Sequence, residues 1–168
     1  REVLLPLYRH SVFQSAVLPR RLSGAFFARY SPGMAYGQHV DDPIMGPEGS
    51  RYRSDVAITI FLNSASAYTG GELVIAGDFG NQSIKLDAGD AVIYPASSLH
   101  EVRPVESGER WVAVAWAESM VRDSRKRKIL YDLGCAEDAI RDITPPEPAV
   151  LAKIQQSRAN LLREWADV

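Results

Sequence analysis

The sequence predicts a mainly β domain, a double-stranded β-helix of the jelly-roll or cupin type, followed by a helical extension. Three observations carry that expectation. Residues 23–118 break into about eight short runs with the length and turn spacing of an all-β sandwich or barrel. Candidate metal-binding side chains fall near the ends of separate runs, as they would at the mouth of such a barrel. Beyond residue 118 the pattern changes to the charge and apolar spacing of amphipathic helices.

The first run is 24–30, and the second is 37–41. Residues 55–62 are rich in β-branched and aromatic side chains that suit a buried strand. Gly70-Gly71 makes a turn; it is no phosphate cradle, because no helix with a Lys-Ser or Lys-Thr pair follows. Runs at 72–76, 83–86, 91–94, 100–105 and 110–117 complete the set. Asp87-Ala88-Gly89-Asp90 separates two of them, with Gly89 free to take positive φ. Helices are expected at 119–133 and 149–165, divided by Thr144-Pro145-Pro146-Glu147-Pro148. The expected division is a β domain over 1–118 and a helical extension over 119–168 packed on it.

Length and composition fit one core: 168 residues, 46% hydrophobic. With 19 basic and 21 acidic side chains, the net charge of -2 provides no broad cationic field for nucleic acid. Cys135 is the only cysteine, which excludes an internal disulfide and a multi-cysteine metal site and fits a reducing compartment. No apolar run is long enough to span a membrane, and Arg1-Glu2-Val3-Leu4-Leu5-Pro6 is not the start of a secretory signal. The expectation is cytoplasmic. Because the chain begins without Met, the missing signal is a weaker argument than usual.

The chemistry concentrates in Gln38-His39-Val40-Asp41 and Ser98-Leu99-His100-Glu101. On an extended strand, His39 and Asp41 project from one face and can grip one ion together, while Val40 points away. A helix would turn them roughly 200° apart. Two histidines and a carboxylate form a facial triad that binds Fe(II) on one side and leaves positions free for a cosubstrate and dioxygen. Singly, each residue has a plainer reading: a strand-end histidine, a turn aspartate beside Asp42 and Pro43, a satisfied core histidine. Together, at strand ends, they point to a metal.

Arg110 follows His100 by ten residues and opens an apolar strand. A guanidinium there is either a surface charge or a planar two-pronged donor for a carboxylate. Tyr30 ends the run before the ligand run and is either a core aromatic or a hydroxyl donor. His10 lies outside the pattern, and Asp42 reads as a turn residue. The run Arg122-Asp123-Ser124-Arg125-Lys126-Arg127-Lys128 reads as a solvated helix face in preference to a docking patch.

Arg29-Tyr30-Ser31-Pro32-Gly33, Tyr36-Gly37-Gln38-His39-Val40-Asp41, Tyr68-Thr69-Gly70-Gly71-Glu72-Leu73, Gly89-Asp90-Ala91-Val92-Ile93-Tyr94-Pro95 and His100 together resemble the PKHD-type hydroxylases. These are Fe(II)- and 2-oxoglutarate-dependent enzymes of the prolyl 4-hydroxylase-like superfamily. The resemblance runs from about Arg20 to Leu162-Arg163-Glu164-Trp165, and Trp116 belongs to it. It implies His39, Asp41 and His100 as iron ligands, Arg110 as the 2-oxoglutarate anchor and Tyr30 as a cosubstrate contact. It further implies dioxygen, a small-molecule or peptide substrate, and L-ascorbate as an accessory reductant. Such proteins usually carry further elements ahead of the point where this chain begins, which bears on the substrate-facing wall. Two alternatives stay open: a cupin-like dioxygenase or isomerase that does without 2-oxoglutarate, and a non-catalytic iron or oxoacid sensor.

Overall fold

A computed structural model describes residues 3–143 and 148–167. Two short helices, α1 (Leu4–Arg9) and α2 (Ser11–Val17), precede β1 (Pro19–Leu22), β2 (Phe26–Tyr30) and β3 (Tyr36–His39). There follow β4 (Ile44–Met45), β5 (Tyr52–Arg53), β6 (Val56–Phe61), a 3-10 turn at Ala65–Ala67, β7 (Tyr68–Gly70) and β8 (Leu73–Ile75). Then come β9 (Gln82–Ile84), β10 (Ala91–Pro95), β11 (His100–Val102), β12 (Val105–Gly108) and β13 (Arg110–Ser119). The helices α3 (Ser124–Ile143) and α4 (Pro148–Trp165) complete the chain.

The chain divides into two compact units, one spanning Arg21–Glu118 and one joining residues up to Arg20 with those from Ser119. The first unit is the antiparallel β-helix of the jelly-roll type. Its major sheet runs β1-β13-β6-β10, with β2 also paired to β13; its minor sheet runs β3-β11-β8-β9. β6 sits between β13 and β10 and all six of its residues are buried, which is why Val-Ala-Ile-Thr-Ile-Phe lacks polar alternation. Ala57, Leu73, Tyr94, Ala96 and Val102 form a buried core drawn from both sheets. Full burial of a side chain such as Ile58 or Phe61 contributes about 1.5–3 kcal/mol.

In the second unit, Leu18, Val121 and Leu130 pack together, supported by Leu161, Leu162 and Trp165. The Ser119 hydroxyl donates to the Val17 carbonyl at 2.7 Å. The first residues of the chain therefore cluster with the C-terminal helices, a grouping that a linear division at 118 does not contain. The sequence pattern passes over α1 and α2 because six and seven residues are too few to establish a helical period, and neither N-cap makes a side-chain hydrogen bond.

The helix expected from 119 begins at Ser124. Ser119 still belongs to β13, and the Asp123 carboxylate accepts the Arg125 backbone N–H at 2.8 Å to start the helix. Gly134, just past the expected end, lies inside α3, where a Cβ would stand 3.4 Å from the Arg158 guanidinium. The expected linker at 144–147 lies outside the described residues. Arg127 corrects the reading of a solvated basic face: it is buried and donates to the Val121 and Arg122 carbonyls. Among the described residues no helix is long and apolar enough to cross a membrane.

Candidate metal centre

The pairing of β3 with β11 puts His39 directly opposite His100. Each imidazole is held by its own backbone: Nδ1 of His39 lies 2.8 Å from the Gly37 carbonyl, and Nδ1 of His100 lies 2.9 Å from that of Ser98. With those nitrogens protonated as donors, both Nε2 lone pairs are left for a ligand. They lie 3.9 and 3.8 Å from Asp41 Oδ1, and the three donor atoms fall within 4.8 Å of one another. One ion held by bonds of about 2 Å would draw these donor atoms closer together than they stand here. The strand ends at His39, so Asp41 stands just beyond it; the two side chains nevertheless meet on one side, and Val40 is exposed.

Asp41 has a fixed orientation. Its Oδ2 accepts the Trp116 indole N–H at 2.9 Å, which leaves Oδ1 toward the histidines. The sequence reading assigned Trp116 no such task. Its signal was available, since Arg110, Val114 and Trp116 alternate along β13 on the face that lines the cavity. Tyr94 was also passed over: its buried ring meets that of His100 edge-on at 5.1 Å. Burial pushes its phenol well above the ordinary value, and the nearby Asp41 charge acts the same way.

Arg110 and Tyr30 are paired across β13 and β2, and the guanidinium lies 5.1 Å over the Tyr30 ring and 5.6 Å from that of Phe61. Only 1% of Arg110 is exposed, its Nε has no hydrogen-bond partner, and no described carboxylate pairs with it. Burial lowers its pKa from the ordinary value and raises that of Tyr30. Gly71, at φ +68°, is a close approach as well as a turn residue. A Cβ there would stand 3.2 Å from Arg110 Cδ and 3.0 Å from Val105 Cγ2.

All five expected site residues line one cavity of about 490 Å³. At one place are two imidazoles and a carboxylate; at another is a buried cation without an anion. The donor set fits a divalent ion, and the guanidinium fits a carboxylate.

The profile of the 2OG-Fe(II) oxygenase superfamily matches residues 25–118. A PKHD-type hydroxylase of Thioalkalivibrio sulfidiphilus is 61% identical over 166 residues, 99% of this chain and 74% of that protein. A PKHD-type hydroxylase of Paracoccus denitrificans is 44% identical over 98% of this chain and 74% of its own length. Among solved structures, a prolyl-4-hydroxylase of Pseudomonas putida aligns over 61% of this chain and 55% of its own, at 24% identity and a TM-score of 0.48.

Proposed function

Since the chain belongs to the 2OG-Fe(II) oxygenase superfamily, we propose that it hydroxylates an unactivated C–H bond of a small-molecule or peptide substrate, converting 2-oxoglutarate and dioxygen to succinate and carbon dioxide. The observation that supports this most is the buried, anion-less Arg110 on the same cavity wall as the His39, Asp41 and His100 cluster. A cupin-like reaction without 2-oxoglutarate would leave that charge uncompensated.

His39 Nε2, His100 Nε2 and Asp41 Oδ1 are the atoms that would hold Fe(II), and Trp116 keeps the carboxylate from rotating. Fe(II), when bound, supplies activation of dioxygen. Arg110 binds the distal carboxylate of 2-oxoglutarate through two parallel N–H bonds, and so directs its keto-acid end toward the triad. Tyr30 and Tyr94 narrow the cavity and limit water around it.

The test is anaerobic reconstitution with Fe(II), followed by exposure to dioxygen, 2-oxoglutarate and ascorbate with succinate measured. Wild type should bind iron and form succinate, with turnover raised by the native substrate. His39→Ala, Asp41→Ala and His100→Ala should each lose iron and succinate while keeping the β fold. Unchanged iron stoichiometry in all three would end the ligand assignment. Iron and 2-oxoglutarate binding without succinate would favour the sensor.

A further inference from the structure

Asp42 lines the metal cavity, and the reaction proposed above gives it no task. Of the charged and imidazole side chains on that wall, His39, Asp41 and His100 form the donor cluster and Arg110 is the buried cation, which leaves Asp42. It is exposed, and its carboxylate has no hydrogen bond or ion pair among the described residues. Its backbone, by contrast, is pinned. The Ser54 hydroxyl donates to the Asp42 carbonyl, the Ser54 N–H donates to the Pro43 carbonyl at 3.1 Å, and the pairing of β4 with β5 sets Ile44 and Met45 just beyond. A carboxylate presented on a fixed turn has less freedom to lose when it meets a ligand.

Asp42 also stands at a junction. A second cavity, of about 690 Å³, shares Phe26, Asp42, Met45 and Trp116 with the metal cavity and is walled farther out by Ile44 and Tyr52. The other charged residue on its walls, Arg21, is already engaged: it donates to Ser50 Oγ at 2.6 Å and to the Ser50 and Arg51 carbonyls at 3.0 and 3.2 Å, and it lies 5.0 Å over the Tyr52 ring. Phe26, 62% exposed, meets Trp116 edge-on at 5.7 Å, so an aromatic pair borders both cavities.

Rings and apolar side chains beside one unpaired carboxylate suit an ammonium or guanidinium on an apolar stem. The stem packs on Phe26, Ile44 and Met45 while the head meets Asp42, and the ring faces add their own attraction for a cation. An anionic head would be repelled at the same point. Volume sets the size of the substrate. The metal cavity must also hold the cosubstrate, so most of the substrate falls to the second cavity, whose volume lies in the range that encloses a drug-sized molecule. A single free amino acid would leave much of it empty.

We propose that the hydroxylated substrate is a peptide carrying a lysyl or arginyl side chain, whose cationic head Asp42 receives where the two cavities meet. This rests on the reading of the metal cavity as the place of hydroxylation, and it makes Asp42 a specificity-determining residue.

The experiment is calorimetric titration of the anaerobic Fe(II) protein, saturated with 2-oxoglutarate, with pentapeptides acetyl-Ala-Leu-Xaa-Leu-Ala-amide in which Xaa is lysine, norleucine or glutamate, and with acetyl-lysine amide alone. Norleucine keeps the lysine stem without the charge. The lysyl peptide should bind roughly five- to tenfold more tightly than the norleucyl one, as for a half-exposed ion pair with a ring contact, and the glutamyl peptide should bind least. Asp42→Asn should bring the lysyl peptide to the norleucyl level and leave the norleucyl peptide unchanged; Asp42→Lys should put the glutamyl peptide first. Acetyl-lysine amide should bind roughly tenfold or more weakly than the lysyl pentapeptide, since it lacks the apolar neighbours that fill the second cavity. Equal affinity for the lysyl and norleucyl peptides overturns the proposal, as does the absence of binding by any of the peptides. Equal weakening of both in Asp42→Asn overturns it too, because a merely structural role would do that. Acetyl-lysine amide binding as tightly as the pentapeptide overturns the peptide in favour of a small cation. The visible charge-transfer band of the wild type, recorded before peptide is added, checks the underlying reading separately: its absence removes 2-oxoglutarate, whereas a band without a lysyl preference removes only the assignment to Asp42.

Discussion

Replacing Arg110 with Met should make the ligand-free protein more stable and shrink the further stabilisation that 2-oxoglutarate gives. The guanidinium is buried without a counter-ion, a burden of several kcal/mol. Its contacts with the Tyr30 and Phe61 rings return about 1 kcal/mol each. Methionine fills much of the same space without the charge, so the exchange should stabilise the ligand-free protein by ~1–3 kcal/mol. The ligand effect runs the other way. Loss of one partner of a desolvated charge pair costs roughly 2–5 kcal/mol of affinity, or about 30- to 5,000-fold in Kd. With 2-oxoglutarate at 100 times the wild-type Kd, wild type gains about 2.7 kcal/mol against unfolding. A variant with a hundredfold weaker site gains only about 0.4 kcal/mol at the same concentration. Urea unfolding of the anaerobic Fe(II) protein, with and without 2-oxoglutarate, reads both quantities. A ligand-dependent gain as large in Arg110→Met as in wild type would refute the anchor. A less stable ligand-free variant would refute the claim that the charge is uncompensated.

Trp116→Phe removes the 2.9 Å hydrogen bond to Asp41 and should weaken metal binding by about 10- to 100-fold; an anaerobic Fe(II) titration matching wild type would remove Trp116 from the site. Gly71→Ala places a side chain at φ +68° against Tyr68, Val105 and Arg110. The backbone alone should cost about 1–2 kcal/mol, read as a lower urea midpoint, and the displaced Arg110 stem should raise the 2-oxoglutarate Kd. The alkaline limb of stability is set partly by Tyr68, whose pKa burial raises in the folded protein. The unfolded chain loses that proton near pH 10 while the folded chain keeps it, so the contribution is complete below about 10 and is lost as pH rises through the folded value, by up to about 1.4 kcal/mol per pH unit. Urea unfolding at stepped pH should show a flatter decline in Tyr68→Phe, and parallel declines would contradict the assignment.

Much of the β unit follows from local pattern. Residues 55–62 declare a buried strand through their own side chains, and β6 occupies 56–61 of them. His39-Val40-Asp41 is legible because an extended backbone is nearly the only way for two residues at that spacing to share one ion, and Arg110 stands out as a charge opening an apolar strand. What sequence could not provide is the pairing between distant strands. Register places His39 opposite His100 and Arg110 opposite Tyr30; a slip of one residue would turn each to the other face. The Trp116 bond to Asp41 joins β13 to the end of β3, and Tyr68 meets Arg110 only because Gly71 lets them close. The clustering of Val17 and Leu18 with Ser119 and Val121 likewise joins the two ends of the chain. Period and turn chemistry act over a few residues and so can be read along the chain; register, burial and unsatisfied polar atoms are properties of neighbours in space, and only the tertiary structure decides them.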